Sequence, residues 1–366
     1  MNITIIYIVA ALMIGAIVAF FISKVVRKDS ETKISTYMIT SGIMLIAGAF
    51  PGTKEIIIGM FAKLLKIDMK TETDYVMIVC GFVLIGFGYY YERNIRDRIH
   101  ILNMLGIPVQ KEISDENNIK DLKLDDYKVK EFIIDISGIY DNNMDCKRND
   151  IIVEKIKKSA TAFLNRSRGF KSGFTGMAPI PYTIYAGSYL AGGEIRRYFE
   201  YSRQNSKYYE LKKKAGKRTL FPGIDITIPR HQNINATEVV VALSVTMRVQ
   251  DTDLTQFSSM DIIRIDTDET KDNLIISLEQ LDKYAGYVNN KLEEIKGTYP
   301  NLIKVHFVAA IPSCLSLELG KLFALNVHRL PQIIAYHYIS SSQKKYPFGI
   351  VVADGQEKNR GKLVKR

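Results

Sequence analysis

The sequence predicts an N-terminal α-helical transmembrane region followed by an α/β domain. Two observations support this division of the 366 residues. Long apolar stretches with few charges dominate the chain up to residue 91. Beyond that point, β-branched strands alternate with amphipathic helices, and this alternation is typical of an α/β domain.

Three apolar stretches are candidates for membrane helices, namely Ile3–Ile22, Tyr37–Phe50 and Tyr75–Tyr91. The first runs for about twenty residues without a charge, which is the length that crosses a hydrocarbon core. Positive residues follow it rather than precede it, so we expect no cleaved signal peptide. The middle stretch is short unless Ile56–Leu65 extends it. The prediction is therefore two to three membrane helices, the last of which ends in an aromatic belt.

The charges of the chain indicate where the second region lies. Basic residues after the first and last apolar stretches favour the cytoplasmic side, although the loop before Tyr75 is about as basic. Most of the net charge of +11 lies beyond residue 91, which suits anionic lipid, nucleic acid or a nucleotide as partner. The three cysteines show neither metal-ligand spacing nor a disulfide framework, as expected in a reducing cytoplasm.

Composition also sets the expected boundaries. Residues 1–91 form the membrane region, and residues 92–129 form a juxtamembrane helix over Glu92–Gly106 with a charged linker behind it. The α/β domain is expected at 130–366. Its predicted elements include a strand over Lys130–Ser137 and covering helices over Ile151–Arg166 and Ser277–Lys296.

The most informative segment predicts a strand, a helix and a second strand between Ile303 and Ile339. The first strand is β-branched and apolar, Pro312 sets φ for a helical first turn, and Ser313 is expected to cap that helix. The N-terminus of a helix beside a strand end suits a phosphate group. A plain βαβ unit without any ligand has the same periodicity.

The residues of this segment also resemble those of a known family. The string HFVAAIPSCLSLELGKLF, followed by a strand ending in IIAYHY, resembles the C-terminal signature of the SAVED domain. That family consists of sensors for cyclic oligonucleotides in the CBASS antiphage systems of bacteria. The resemblance implies two fused CARF-type halves, each Rossmann-like, with the nucleotide bound between them. It covers roughly the last two hundred residues and is strongest at 303–338.

A second segment, Thr175–Gly193, again places a proline break before an apolar run with a small glycine. The spacing from Pro181 to Gly187 is shorter than that from Pro312 to Gly320. Two related halves would explain this weak internal similarity, and so would the chance recurrence of a common turn between a strand and a helix.

Candidate ligand contacts come from four segments, of which Ile303–Ile339 and Thr175–Gly193 are described above. The segment Tyr198–Arg218 mixes aromatic and basic residues, which suits stacking on bases and contact with phosphates, although most lysine runs are only solvated. By resemblance, the strand Glu238–Val249 begins the second half, and its end lies near the ligand. The predicted contacts are Pro312, Ser313, Ser244, Tyr336, Tyr338, Tyr201, Lys207, Lys214, Arg218 and Pro181.

Catalytic motifs are absent from the sequence, which has no Gly-rich lysine loop, HExxH, GxSxG or zinc-type cysteine pair. Carboxylates scattered through polar turns are more often solvated than metal-binding, and lone histidines on strands and loops are usually structural. We therefore expect neither an enzyme nor a cofactor or metal.

The leading hypothesis is a multi-pass effector in the bacterial inner membrane. By resemblance, its cytoplasmic domain would bind a cyclic di- or trinucleotide from a partner nucleotidyltransferase, form a homo-oligomer and disrupt the lipid bilayer in abortive infection. No DNA partner is expected. The alternatives are a membrane-tethered, phosphodiesterase-like enzyme and a membrane scaffold that binds anionic lipid.

Overall fold

The computed structural model describes residues 30–50, 73–106, 113, 115–202, 205–214, 222–229, 232–356 and 358–366. These residues divide into two compact units. The first unit contains two N-terminal helices, and the second contains two β-sheets with their covering helices.

The N-terminal unit is a pair of closely packed helices, α1 (Ser30–Gly48) and α2 (Tyr75–Arg96). Glycines allow the close approach, because a Cβ atom on Gly42 would collide with the backbone of Gly81. A Cβ atom on Gly88 would likewise collide with α1, whereas one on Gly86 would meet nothing within 4 Å. Gly86 therefore lies on the open side of α2.

One described helix, Tyr75–Asn94, is long and apolar enough to cross a membrane, and Ile34–Gly48 is apolar but shorter. The outer face of α2 is rich in exposed apolar side chains: Tyr75, Val76, Val79, Phe82, Val83, Phe87, Tyr89 and Tyr90. The predicted first membrane helix, Ile3–Ile22, and the extension Ile56–Leu65 lie outside the described residues.

The first half of the α/β unit is a five-stranded sheet in the order β2-β1-β3-β4-β5. Its strands are β1 (Arg98–Leu105), β2 (Lys128–Asp135), β3 (Lys171–Met177), β4 (Arg197–Ser202) and β5 (Lys207–Glu210). Its helices are α3 (Glu116–Asp121), α4 (Cys146–Arg166) and α5 (Ile180–Ser188). β4 runs parallel to β3 and antiparallel to β5.

The second half is a seven-stranded sheet in the order β12-β11-β10-β9-β7-β8-β6. Its strands are β6 (Ile224–Thr227), β7 (Glu238–Ser244), β8 (Ile262–Thr267), β9 (Lys304–Ala310), β10 (Gln332–His337), β11 (Phe348–Ala353) and β12 (Leu363–Lys365). A 3-10 helix (Asp251–Phe257) precedes β8, and α6 (Leu278–Thr298) and α7 (Ser313–Leu325) flank β9 in sequence. The four central strands β8, β7, β9 and β10 are parallel. β6 and β11 run antiparallel to their neighbours β8 and β10, and the edge strand β12 pairs antiparallel with β11.

Both halves repeat one topology. The central order β8-β7-β9-β10 is the same as β2-β1-β3-β4, and in each case an antiparallel strand follows the fourth. This is a doubly wound order, in which the second strand is added on one side of the first strand and the third strand on the other. The expected pair of fused Rossmann-like halves is therefore confirmed.

Helices α5 and α7 join the two halves by crossing at a glycine in each. A Cβ atom on Gly187 would collide with Leu317, and one on Gly320 would collide with Ile184. Each helix is preceded by a proline at its N-cap, Pro179 or Pro312, which lies eight residues before the glycine in both. The weak similarity between the two segments is thus a structural repeat of a proline N-cap, a helix and a glycine. The proline that corresponds to Pro312 is Pro179 and not Pro181.

The structure differs from the predictions at the start of the α/β unit. The predicted helix over Glu92–Gly106 is wrong, because α2 ends at Arg96 and β1 begins at Arg98. The central residues of β1 are buried on both faces of the sheet, so the strand lacks the alternation of apolar and polar side chains that marks a half-exposed strand. The sheet therefore begins at residue 98, whereas the sequence predicts it near 130.

Candidate functional site

A cavity of about 620 Å³ lies where the parallel strands of both halves end. In the second half, its walls follow the carboxyl ends of β7, β8 and β9. The strand order reverses between the parallel strands β7 and β9, because β8 is added on one side of β7 and β9 on the other, and ligands of doubly wound sheets bind at such a switch point. The volume falls within the range of small-molecule sites.

Three loops of the second half form most of the cavity wall. They are Thr246–Val249, Thr270–Asn273 and the turn 309–313. Backbone hydrogen bonds tie them together, since Thr246 N–H donates to the carbonyl of Ala310 and Lys271 N–H donates to that of Val245. The loops are therefore fixed with respect to the strand ends.

The first half contributes the opposite wall, through Met177, Ala178 and Ile180 after β3 and through Glu200 and Tyr201 of β4. The two walls are bonded to each other. Ser313 Oγ donates to the Gly176 carbonyl over 2.5 Å, and Asn273 Nδ2 donates to Ser202 Oγ over 3.1 Å. Asn273 has a φ of 61°, a left-handed conformation that asparagine tolerates better than most residues.

Glu200 is the most unusual group of the cavity, since its side chain is only 8% exposed. Its carboxylate accepts a 2.5 Å hydrogen bond from Cys314 N–H in the first turn of α7, and a second from Ser313 N–H. Burial raises the pKa of Glu200 to about 7, despite the opposing effect of these hydrogen bonds. The carboxylate therefore occupies the position at the helix N-terminus that suits an anion.

Charged side chains line the cavity. Arg248 and Lys271 are exposed and supply positive charge, and the exposed Asp272 and the half-buried Asp253 supply negative charge. Arg248 also lies 3.6 Å from Asp266. Both cations belong to the second half, so an anionic ligand would find its attractive groups on that side.

The sequence profile of the SAVED family, described as the SMODS-associated and fused to various effectors sensor domain, matches residues 156–352. This chain belongs to the SAVED family. No curated protein matches it significantly.

The SAVED domain is also similar to three solved structures of the Acinetobacter baumannii Cap4 SAVED/CARF-domain containing receptor. The structure with the cyclic trinucleotide 2'3'3'-cAAA has a TM-score of 0.45 at 15% identity, over 87% of this chain and 65% of that chain. The structure with 3'3'3'-cAAA gives 0.44 and 15% over 92% and 66%, and a third gives 0.43 and 14% over 89% and 65%. The chain thus spans just under two thirds of these receptors, and the likeness is too distant to identify a function.

Four of the predicted contacts line the cavity of the SAVED domain, namely Pro312, Ser313, Tyr201 and Tyr338. Ser313 does not cap α7 as expected. The N-cap is Pro312, and the Ser313 hydroxyl instead bonds to the first half. Arg197 pairs with Gly173, the third residue of β3, and Ile334 pairs with His306, the third residue of β9. Tyr201 and Tyr338 each lie four residues further along the chain, so they occupy corresponding positions in the two halves.

Other predicted contacts lie away from the cavity. Tyr336 is 1% exposed and bonds through its hydroxyl to His306 Nδ1, and Pro181 is buried within α5. Lys207 pairs with Asp121 at 3.1 Å on the edge of the first sheet.

Three predicted contacts remain, namely Lys214 and Arg218 of the segment Tyr198–Arg218, and Ser244 of β7. Lys214 is exposed at the end of a described segment, and Arg218 lies outside the described residues. Ser244 ends β7, where its Oγ accepts a 3.1 Å hydrogen bond from Val249 N–H and thereby shapes a cavity loop. It is buried and does not line the cavity itself.

The sequence analysis missed Glu200 and the loop after β8 with Thr270 and Lys271, and it assigned Thr246 and Arg248 to the strand Glu238–Val249 rather than to a cavity loop. The end of β7 is expected near the ligand by resemblance, but β8 is not among the predicted strands, so no predicted strand end marks the loop behind it. No local signal marks Glu200, because only the fold brings β4 to the start of α7.

The described histidines do not converge on the cavity. His306 lies at the amino ends of the strands, where Nε2 is 3.0 Å from Glu238 and 2.9 Å from Arg366. Within the described part of the chain, no group of three His, Cys, Asp or Glu side chains is arranged to hold a metal ion.

Proposed function

We propose that this protein is a membrane-anchored receptor that binds a cyclic oligonucleotide in the cavity between the two halves of its SAVED domain. The observation that carries the proposal is the position of the cavity. It lies at the strand ends of both halves, in a domain whose family is a sensor family.

The cavity wall suits a cyclic nucleotide in chemical terms. Tyr201 and Tyr338 offer one aromatic face from each half, and bases stack on such faces. Arg248 and Lys271 offer positive charge for phosphates, while Thr246 and Thr270 offer hydroxyl groups. The ligand class is a cyclic di- or trinucleotide, and the source is a partner nucleotidyltransferase.

The output is proposed to be disruption of the bacterial inner membrane after ligand-induced oligomerisation, as an antiphage defence. α2 supports this part of the proposal, because its exposed apolar face has the length and composition of a membrane helix. Gly81 and Gly88 already contact α1, which leaves Gly86 as the described α2 glycine that is open to a second subunit.

Binding is tested with full-length protein in detergent micelles and a panel of cyclic di- and trinucleotides that includes 3'3'3'-cAAA. A ligand that binds only the folded state raises the melting temperature. We expect one member of the panel to do so, and Arg248→Ala to reduce the shift. Metal-dependent breakdown of the nucleotide would instead support the phosphodiesterase-like alternative.

The membrane output is tested with full-length protein in dye-filled liposomes of bacterial lipid. We expect dye release only when the binding nucleotide is present. A variant with Gly86→Leu should bind the nucleotide normally but release less dye. Equal leakage with and without nucleotide would contradict a ligand-controlled output.

A further inference from the structure

Glu200 places an acid inside a cavity that is proposed to receive an anion. Its carboxylate lies 2.5 Å from Cys314 N at the start of α7 and lines the cavity wall. Ser313 N–H and the Cys314 thiol also donate to it. The protein's own carboxylate therefore holds the donors that a ligand phosphate would otherwise use.

No described cation compensates this charge, since none of the influences on the Glu200 carboxyl comes from a lysine, arginine or histidine. Tyr209 of β5 and Cys314 of α7 face it, and burial together with the Glu200 charge raises the pKa of both groups. The other charged groups that line the cavity are Arg248, Asp253, Lys271 and Asp272.

An ionised Glu200 and a ligand phosphate would be like charges in a partly desolvated cavity. Closing the cavity with a ligand removes further water, which strengthens their repulsion. A protonated Glu200 removes the repulsion, and its O–H can donate a hydrogen bond to a ligand oxygen. The neutral acid is thus the form that is compatible with a bound phosphodiester.

We propose that a cyclic oligonucleotide binds this cavity together with one proton, and that the Glu200 carboxylate is the group that takes up the proton from solvent. This inference rests on the proposed nucleotide-binding function and adds a pH-dependent control to it. One O–H bond forms on Glu200, and no covalent bond of the ligand changes.

The burial-raised pKa of Glu200, about 7, fixes the expected pH range. Below it, the acid is already protonated and the affinity should not depend on pH. Above it, each pH unit should weaken binding by up to about tenfold, because one proton must be taken up per ligand. A more alkaline interior would therefore make the receptor less responsive.

The experiment is isothermal titration calorimetry of the full-length protein in detergent with 3'3'3'-cAAA or the best-binding panel member, from pH 6 to pH 8.5. Buffers with different ionisation enthalpies reveal the proton count. We expect wild type to take up close to one proton per ligand at pH 8. Glu200→Gln, which keeps the shape and an acceptor oxygen, should take up none and bind at least about tenfold tighter than wild type at pH 8.

Asp272→Asn is the matched control, because it removes an exposed carboxylate that also lines the cavity. We expect it to change the affinity equally at every pH and to keep the proton uptake. Equal pH slopes in wild type and Glu200→Gln would overturn the inference while leaving nucleotide binding intact. If Glu200→Gln does not fold, wild-type proton uptake near zero at pH 8 overturns it alone. Absence of nucleotide binding at every pH would overturn the proposed function instead.

Discussion

The two halves of the SAVED domain share a strand order but bring different chemistry to the cavity. The second half supplies the cations Arg248 and Lys271, and the described part of the first half supplies the buried acid Glu200. The first half's helix α5 has 9 residues, whereas α7 has 13. A repeated scaffold thus builds an asymmetric site, which would hold a ligand in one orientation.

The largest effect is expected from a substitution at the crossing of α5 and α7, which joins the two halves. Gly320→Ala places a Cβ atom against the Ile184 carbonyl at the crossing of α5 and α7. We expect a loss of about 3 kcal/mol in the free energy of unfolding, because neither backbone can move away without shifting its sheet. The melting temperature of full-length protein in detergent measures it.

Gly286→Ala in α6 is the control for that substitution. A Cβ atom at Gly286 meets nothing within 4 Å, so the higher helix propensity of alanine should raise stability by up to about 1 kcal/mol. Equal melting temperatures for Gly320→Ala and wild type would show that the crossing does not join the halves rigidly.

The second prediction compares one carboxylate from each half. Burial raises the pKa of Glu200 to about 7 from an ordinary value of 4.5. Between these values the folded state keeps a proton that the unfolded state has lost, so stability falls as pH rises. The full effect is about 3 kcal/mol, and Glu200→Gln should abolish it. An unchanged pH profile in that variant would contradict this account of Glu200.

Glu238 of the second half should behave in the opposite way. A hydrogen bond from Lys304, helped by His306, lowers the pKa of Glu238 to about 2. Its stabilisation is complete above pH 4.5 and is lost as pH falls toward 2, because the unfolded state then binds the proton first. The side chain is 29% exposed, so the effect is about 2 kcal/mol after solvent screening. Acid unfolding of Glu238→Gln measures it.

The third prediction concerns the corresponding tyrosines of the two halves. Tyr201→Ala and Tyr338→Ala should each weaken nucleotide binding by about 1–3 kcal/mol, the value of one stacked base. Tyr336→Phe is the control, since its hydroxyl bonds to His306 away from the cavity. If only Tyr338→Ala affects the affinity, the ligand contacts one half alone.

The smallest expected effect comes from the hydrogen bond between Ser313 and the Gly176 carbonyl. Ser313→Ala removes this link between the halves and should cost about 1 kcal/mol of stability. Ser316→Ala is the control within one half, because the Ser316 hydroxyl bonds to Pro312 in its own helix turn. A larger effect of Ser316→Ala would mean that the link between the halves is not special.

The sequence predicted the second half well because its signals are local. The apolar strand before Pro312, the helix behind it and the next strand all follow from residue type and period. The first half was predicted less well. β1 was mistaken for the end of a membrane-proximal helix, because a buried strand and a buried helix look alike over so few residues.

The site could be predicted where a local pattern marks it. Pro312 and Ser313 follow the end of β9, Tyr338 follows β10, and Tyr201 belongs to the aromatic and basic segment. Glu200 meets Cys314 across 114 positions of sequence, and Asn273 meets Ser202 across 71. Such contacts depend on how the halves pack, which no short pattern of residues encodes.

The central claim is that one ligand contacts both halves of the cavity. Hydrogen exchange of full-length protein in detergent, measured with and without the binding nucleotide, tests it directly. We predict slower exchange in β4 around Glu200 and Tyr201 and also in the loops Thr246–Val249 and Thr270–Asn273. Protection confined to one half, or lying outside these segments, would contradict the claim.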